Sequence, residues 1–216
     1  MKYALLIVCL LCCVSTAQQP PKTVTKMVVQ LQSTDVPPDS FGAKPKTMLR
    51  AGTKYCRIEE LPDPDNGIQG LIVINEPDVW MVNLSTRTAK HMVDPGPTFN
   101  CRMPIFANRV PDLPEDEGKQ IGGLEFGFEM EFFKSKGASS NPGPVLQTKQ
   151  TIAYKLQFGD SSIALFTYGK PERPLAVAWT RGEKHDIFWY SGYGEVDFDP
   201  GFFAKPGNVK IEDPKQ

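Results

Sequence analysis

The sequence has few of the side chains on which most enzymes depend. Its 216 residues include two histidines, His91 and His185, and five cysteines, of which Cys9, Cys12 and Cys13 lie in the first apolar segment. No Gly-x-Ser-x-Gly elbow and no Ser-x-x-Lys pair offers a nucleophile to either histidine. We therefore expect a protein that is not an enzyme and that uses no cofactor. A hydrolase or metal-dependent enzyme built on His91 or His185 is the alternative.

Features that bind nucleic acids or phosphate, or that cross a membrane, are also scarce. The 24 basic and 25 acidic residues give a net charge of −1, and no arginine-rich stripe is present, so a nucleic-acid partner is not expected. Gly192-Tyr193-Gly194 is too short for a phosphate-binding loop. The apolar run Tyr3 to Val14 is too short to span a bilayer as a helix, and no other stretch approaches that length. No transmembrane segment is predicted.

What the sequence does have at its start is the pattern of an export signal. Lys2 supplies a positive charge, Tyr3 to Val14 form an apolar core, and Ser15-Thr16-Ala17 place small residues at a cleavage point. We interpret residues 1–17 as a signal peptide, residues 18–25 as an N-terminal extension and residues 26–213 as one β domain. The mature protein is then periplasmic or secreted.

Removal of the signal leaves two cysteines, Cys56 and Cys101. In an exported protein, two cysteines most simply form a disulfide. Free buried thiols, or a zinc site that adds the two histidines, are the other interpretations. No Cys-x-x-Cys or His-x-x-x-His spacing favours a metal site.

Alternation of apolar and polar residues with a period of two recurs along the chain. This pattern predicts a curved antiparallel sheet of about nine to eleven short strands with few short helices. The 20 prolines and 18 glycines fit the turns of such a sheet. The predicted strands are Lys26–Leu31, Thr47–Arg50, Thr53–Glu59, Ile68–Ile74, Val79–Asn83, Thr88–Met92, Leu124–Phe133, Ile152–Phe158, Ser162–Tyr168, Leu175–Thr180 and Lys184–Tyr190.

The strand with the clearest pattern is Leu124–Phe133, whose glutamates Glu125, Glu129 and Glu131 would form a solvated face. Ser135–Gln150 is predicted as an exposed loop, and a short helix is expected near Pro114–Glu117.

Aromatic and large aliphatic residues on the predicted strands are the main candidate for a function. They either pack a closed core or line a cavity for acyl chains or an apolar partner. The candidate lining residues are Phe126, Phe128, Met130, Phe132, Ile152, Tyr154, Leu156, Phe158, Val177 and Trp179.

The order of three blocks resembles the periplasmic lipoprotein-carrier (LolA/LolB-like) superfamily, the outer-membrane lipoprotein-sorting proteins. The first block is Thr53–Glu59, followed by Leu71–Ile74, and the second is Val79–Asn83, followed by Thr88–Lys90. The third consists of Pro174–Val177, Gly182, Ile187–Tyr190 and the tail Phe198–Pro206.

The resemblance implies a half-open antiparallel barrel around a helical plug. It also implies a binding or carrier protein for a hydrophobic ligand, such as a lipid or a lipidated protein, with envelope proteins as further partners. Carriers of this type hold a lid with a basic residue early in the sheet, and Arg50 is the nearest candidate in this sequence. They also have a long amphipathic helix before the first strand, whereas here only Gln18–Thr25 precede it and Pro20-Pro21 opposes helix. A non-catalytic envelope scaffold or sensing module with a filled barrel is therefore a further interpretation.

Overall fold

The computed structural model describes residues 21–94 and 121–212. They contain twelve strands, the α-helix α1 (Glu129–Ser135) and 3-10 helices at Phe41–Ala43 and Pro200–Phe203. The strands are β1 (Thr23–Ser33), β2 (Lys46–Ala51), β3 (Tyr55–Glu60), β4 (Gly70–Asn75), β5 (Asp78–Asn83), β6 (Thr88–Val93), β7 (Ser140–Leu146), β8 (Lys149–Phe158), β9 (Ser161–Tyr168), β10 (Arg173–Arg181), β11 (Lys184–Asp197) and β12 (Lys210–Ile211).

All twelve strands belong to one sheet, in the order β12-β6-β5-β4-β3-β2-β1-β11-β10-β9-β8-β7. Two meanders, β2–β6 and β7–β11, meet at β1, which pairs with both β2 and β11. Every pairing is antiparallel except the short parallel contact of β12 with β6. Because β12 and β7 are the two edges, the sheet stays open. The predicted mainly-β, half-open antiparallel fold is confirmed.

Each face of the sheet is covered by a different part of the chain. On one face, which we call the helix face, strand residues such as Met27, Met48 and Val177 pack against Leu124 and Phe133 of the segment 121–138. On the opposite face, the tail face, Val24, Leu49 and Trp80 are among the residues that pack against Phe203 of the C-terminal tail. Because successive side chains of a strand point to opposite faces, neighbouring apolar residues such as Met48 and Leu49 enter different clusters.

The prediction of a strand over Leu124–Phe133 is wrong, because this stretch contains turns and the helix α1. Gly127 has a φ of +84°, which ends the extended backbone before the helix. After the helix, Gly137 donates to the carbonyl of Lys134 and Ala138 donates to that of Phe133. This pattern is a Schellman motif, which closes a helix at a glycine.

The prediction of a loop over Ser135–Gln150 is also wrong in part, because residues 140–146 form the edge strand β7. Pro142 and Pro144 lie in this strand, and proline is tolerated at an edge, where backbone N–H groups need no partner strand. The short helix predicted near Pro114–Glu117 lies outside the described residues. Strand β1 begins at Thr23, inside the range that the sequence assigned to the N-terminal extension.

Candidate functional site

An apolar groove lies on the helix face of strands β3 to β6. Ile58 pairs across the sheet with Ile72, and Ile72 pairs with Met81, so the three side chains form one row. The groove has a volume of about 330 Å³, near the lower end of the roughly 300–1,000 Å³ typical of small-molecule sites. Glu60, Lys90 and Glu212 also line it. We call it the β3–β6 groove; no residue of the segment 121–138 lines it.

Large hydrophobic side chains are exposed around this groove. Met81 is 45% exposed and Met92 is 48% exposed. Met92 pairs with Val79 and so lies in the row next to that of Met81 on the helix face. Of the large hydrophobic residues exposed in the described part of the chain, only Val145 lies in the β7–β11 half of the sheet. Clustered exposed apolar side chains are a feature of binding surfaces.

The aromatic residues predicted as a ligand lining lie mainly elsewhere, beneath α1. Phe126 and Phe132 are buried in the covering segment, and Phe158 and Trp179 are buried in the strands below it. Nine of the ten candidates belong to or pack against one cluster; Phe128 is the exception and packs on Arg50. These nine are Phe126, Met130, Phe132, Ile152, Tyr154, Leu156, Phe158, Val177 and Trp179. In the structure these nine side chains pack in the core, and their role in ligand binding remains a prediction.

A buried ion pair holds the covering segment to the sheet. The Nη2 atom of Arg50, on β2, lies 2.6 Å from the Oε2 atom of Glu125, and the side chains are only 4% and 16% exposed. Arg50 Nε donates to the carbonyl of Gly52 at 2.9 Å. The guanidinium also lies 4.8 Å from the centre of the Phe128 ring. Arg50, the nearest candidate for the lid-holding residue that the resemblance implies, contacts Glu125 and Phe128 of the segment that covers the helix face.

The close approach of this segment to the sheet requires glycine at position 127. A Cβ atom there would lie 3.2 Å from Arg50 Cγ and 3.4 Å from Met27 Cε. Together with the positive φ of Gly127, this crowding strongly disfavours any other residue at this position.

A second buried contact joins α1 to β11. Glu129 is 1% exposed, and its Oε1 atom accepts hydrogen bonds from the Tyr190 hydroxyl at 2.7 Å and from the Gly127 N–H at 2.8 Å. Burial raises the pKa of Glu129 to about 7, although the hydrogen bond from Tyr190 opposes the shift. Burial and the neighbouring Glu129 raise the pKa of Tyr190 well above its usual value.

The sequence interpretation placed Glu129 on a solvated face, and this is wrong. In the helix, Glu129 shares its buried side with Phe132 and Phe133, three and four residues on, while Glu131 is exposed. The signal that would have identified the helix is Gly137, which follows the last turn as a helix stop.

The two histidines are far apart in the sheet. His91 lies on β6 and His185 on β11, separated by six strand spacings of roughly 4.8 Å each. The His91 ring stacks on Trp80 with 4.0 Å between ring centres, and its Nε2 lies 2.6 Å from Asp78 Oδ1. Within residues 21–94 and 121–212, no group of three metal-ligating side chains comes together.

Helices of this part of the chain are all too short or too polar to span a bilayer.

Cys56 is buried on the helix face of β3, and Cys101 lies outside the described residues, so the disulfide between them remains a prediction. We expect thiol labelling of the denatured, unreduced mature protein to modify no cysteine. After reduction, the same labelling should modify the two cysteines that follow residue 17. Two reactive thiols before reduction would contradict the disulfide.

No protein-family model and no curated protein matches this chain. A solved structure of an uncharacterized conserved protein from Thermus thermophilus is similar over 88% of this chain and 90% of that chain, with 10% identity and a TM-score of 0.47. A DUF1329 family protein from Desulfovibrio piger covers 86% of this chain and 90% of its own, with 7% identity and a TM-score of 0.29.

Proposed function

We propose that this protein is an exported, non-catalytic binding or carrier protein for a hydrophobic ligand, a lipid or a lipidated protein. The observation that carries this proposal is the β3–β6 groove, where Ile58, Ile72 and Met81 form an apolar row beside the half-exposed Met92. The signal-like residues 1–17 and the resemblance to lipoprotein carriers support the same proposal.

The groove suits an acyl chain better than a polar substrate. Burial of each methylene group contributes about 0.8 kcal/mol, so several methylenes suffice for a weak but measurable affinity. Charged side chains lie at the margin of the row: Glu60, whose Oε1 lies 3.6 Å from Lys46 Nζ, and Lys90. An amphiphile would place its chain on the apolar row and its polar end towards these groups.

The sheet has two differently organised halves, which also fits a carrier. Segment 121–138 packs over β8 and β9 and contacts β2 and β11 through Arg50 and Tyr190. The groove lies on the other half, on β3 to β6. Ile58 and Ile72 of the groove pack against the same helix-face cluster that this segment covers.

Substitution of Met81 by glutamate tests the groove directly. The uncharged fluorescent probe N-phenyl-1-naphthylamine should bind the wild-type protein, and Met81→Glu should weaken its binding at least about tenfold, because an ionised carboxylate in an apolar groove is costly. The matched control is Val145→Glu, which adds the same charge at a residue that is 63% exposed in the other half of the sheet. It should leave the affinity unchanged.

Absence of probe binding to the wild-type protein, or equal losses in the two variants, would contradict the proposed site. Native mass spectrometry with lipid extraction of the purified protein should also recover a bound lipid. If no lipid is recovered and no probe binds, the alternative of a non-catalytic scaffold with a filled interior would be favoured. The packed cluster beneath α1 is consistent with that alternative.

A further inference from the structure

The carboxyl of Glu129 is the polar group at the centre of the contact between α1 and the sheet. Its Oε1 atom accepts from Tyr190 on β11 and from the backbone of Gly127. Its Oε2 atom is buried and has no hydrogen-bond partner within the described structure. Ionisation of Glu129 is energetically costly here, because part of the negative charge would reside on Oε2, which accepts no hydrogen bond from the described residues.

The ionisable groups around Glu129 do not compensate for a negative charge. On β11, Tyr190 and Tyr193 are neutral, and the pKa of each is raised by burial and by Glu129. On the helix itself, the negative charge of Glu131 further raises the pKa of Glu129. The buried cation of β2, Arg50, is already paired with Glu125. A neutral, protonated carboxyl is the form that suits this environment.

We propose that Glu129 is a proton-controlled clasp: its carboxyl holds a proton while segment 121–138 covers the sheet, and loss of that proton loosens the segment. The proton-bound form keeps both hydrogen bonds to Oε1 and places no charge in the core. The ionised form is better solvated when α1 moves away from Tyr190. Acid therefore favours the covered state and base favours the released one.

The direction follows from linkage between protonation and closure. The pKa of Glu129 is about 7 in the covered state, against 4.5 for an unperturbed glutamate. The covered state therefore binds the proton more tightly, and its stabilisation is complete below about pH 4.5 and declines as pH rises to about 7. Above that pH both states are ionised and the effect is constant.

This inference rests on the proposed function in one respect only. If a hydrophobic ligand binds the helix face, loosening of segment 121–138 would expose aromatic side chains of the helix-face cluster, against which Ile58 and Ile72 of the β3–β6 groove pack. The pH of the compartment would then control how much apolar surface the ligand can reach. The clasp itself needs no ligand, so it can be tested without one.

Hydrogen–deuterium exchange of the mature protein tests the clasp. The protection factors are corrected for the intrinsic pH dependence of exchange. For peptides within residues 121–138 they should fall at least about tenfold between about pH 5 and pH 8. The reason is that each unit of pKa difference between the covered and the released state changes the equilibrium between them tenfold. Peptides from β4 and β5 serve as an internal reference and should not show this fall.

Glu129→Gln should abolish the pH dependence, because the amide keeps the acceptor oxygen but cannot ionise. The matched control, Glu131→Gln, removes an exposed carboxylate of the same helix and should preserve it. Tyr190→Phe removes a hydrogen bond that favours the ionised form, so the midpoint should move to higher pH. If Glu129 had only a structural role, Tyr190→Phe would not shift the midpoint. This variant therefore also tests the proposal if Glu129→Gln does not fold.

Protection of residues 121–138 that does not change with pH in the wild-type protein would overturn the proposal. So would a pH dependence that survives in Glu129→Gln. Because no probe or lipid is present, these results are independent of whether the groove binds a hydrophobic ligand.

Discussion

Replacement of Arg50 by alanine is expected to lower the free energy of unfolding by about 3–5 kcal/mol, because it leaves the carboxylate of Glu125 largely buried without its cation. The loss also removes the hydrogen bond to the Gly52 carbonyl and the contact with the Phe128 ring. Denaturant unfolding followed by intrinsic fluorescence measures the difference.

A double-mutant cycle with Glu125→Ala separates the ion pair from the other contacts of Arg50. The double variant should be less destabilised than the sum of the two single variants, with a coupling of about 0.5–3 kcal/mol. Arg50→Lys retains the charge but loses the planar group that packs on Phe128, so an intermediate loss is expected. If Arg50→Ala lowered the free energy of unfolding by less than about 1 kcal/mol, the ion pair would not be what holds segment 121–138 on the sheet.

Replacement of Phe133 by alanine is expected to cost about 3–5 kcal/mol, through lost burial and the cavity that remains. Phe133 is completely buried in the helix-face cluster, and its ring lies 5.6 Å from that of Phe132. The measurement is again the free energy of unfolding, at about pH 5, where the clasp at Glu129 is expected to be closed.

The matched control is Lys134→Ala, which changes the next residue of the same helix on its exposed side. It should alter stability by no more than about 0.5 kcal/mol. If Phe133→Ala cost as little, α1 would not be part of the cooperatively folded domain. A large cost for Phe133 and a small one for Lys134 would show that the covering segment is a structural layer of the fold.

The sequence alone determined most of the sheet. Strands β2 to β6 and β8 to β11 lie close to where period-two alternation predicted them, because successive side chains of each strand point to opposite faces of the sheet. The same pattern predicted the mainly-β antiparallel architecture, and the resemblance implied its half-open form. Arg50, the nearest candidate for a lid-holding residue, pairs with Glu125 of the covering segment, and a role in holding a lid stays a prediction.

The backbone conformation of residues 124–138 was decided only by the tertiary structure. Phe126, Phe128 and Phe132 alternate with glutamates as a strand would, yet the backbone reverses at Gly127 and forms α1. Local alternation could not reveal this, because the helix that carries Phe132 and Phe133 packs on β8 and β9, strands that follow it in the chain. The burial of Glu129 against Tyr190 joins residues 61 positions apart. Such a contact exists only once the sheet has brought β11 beneath the helix, and it is this burial that raises the affinity of the carboxyl for its proton.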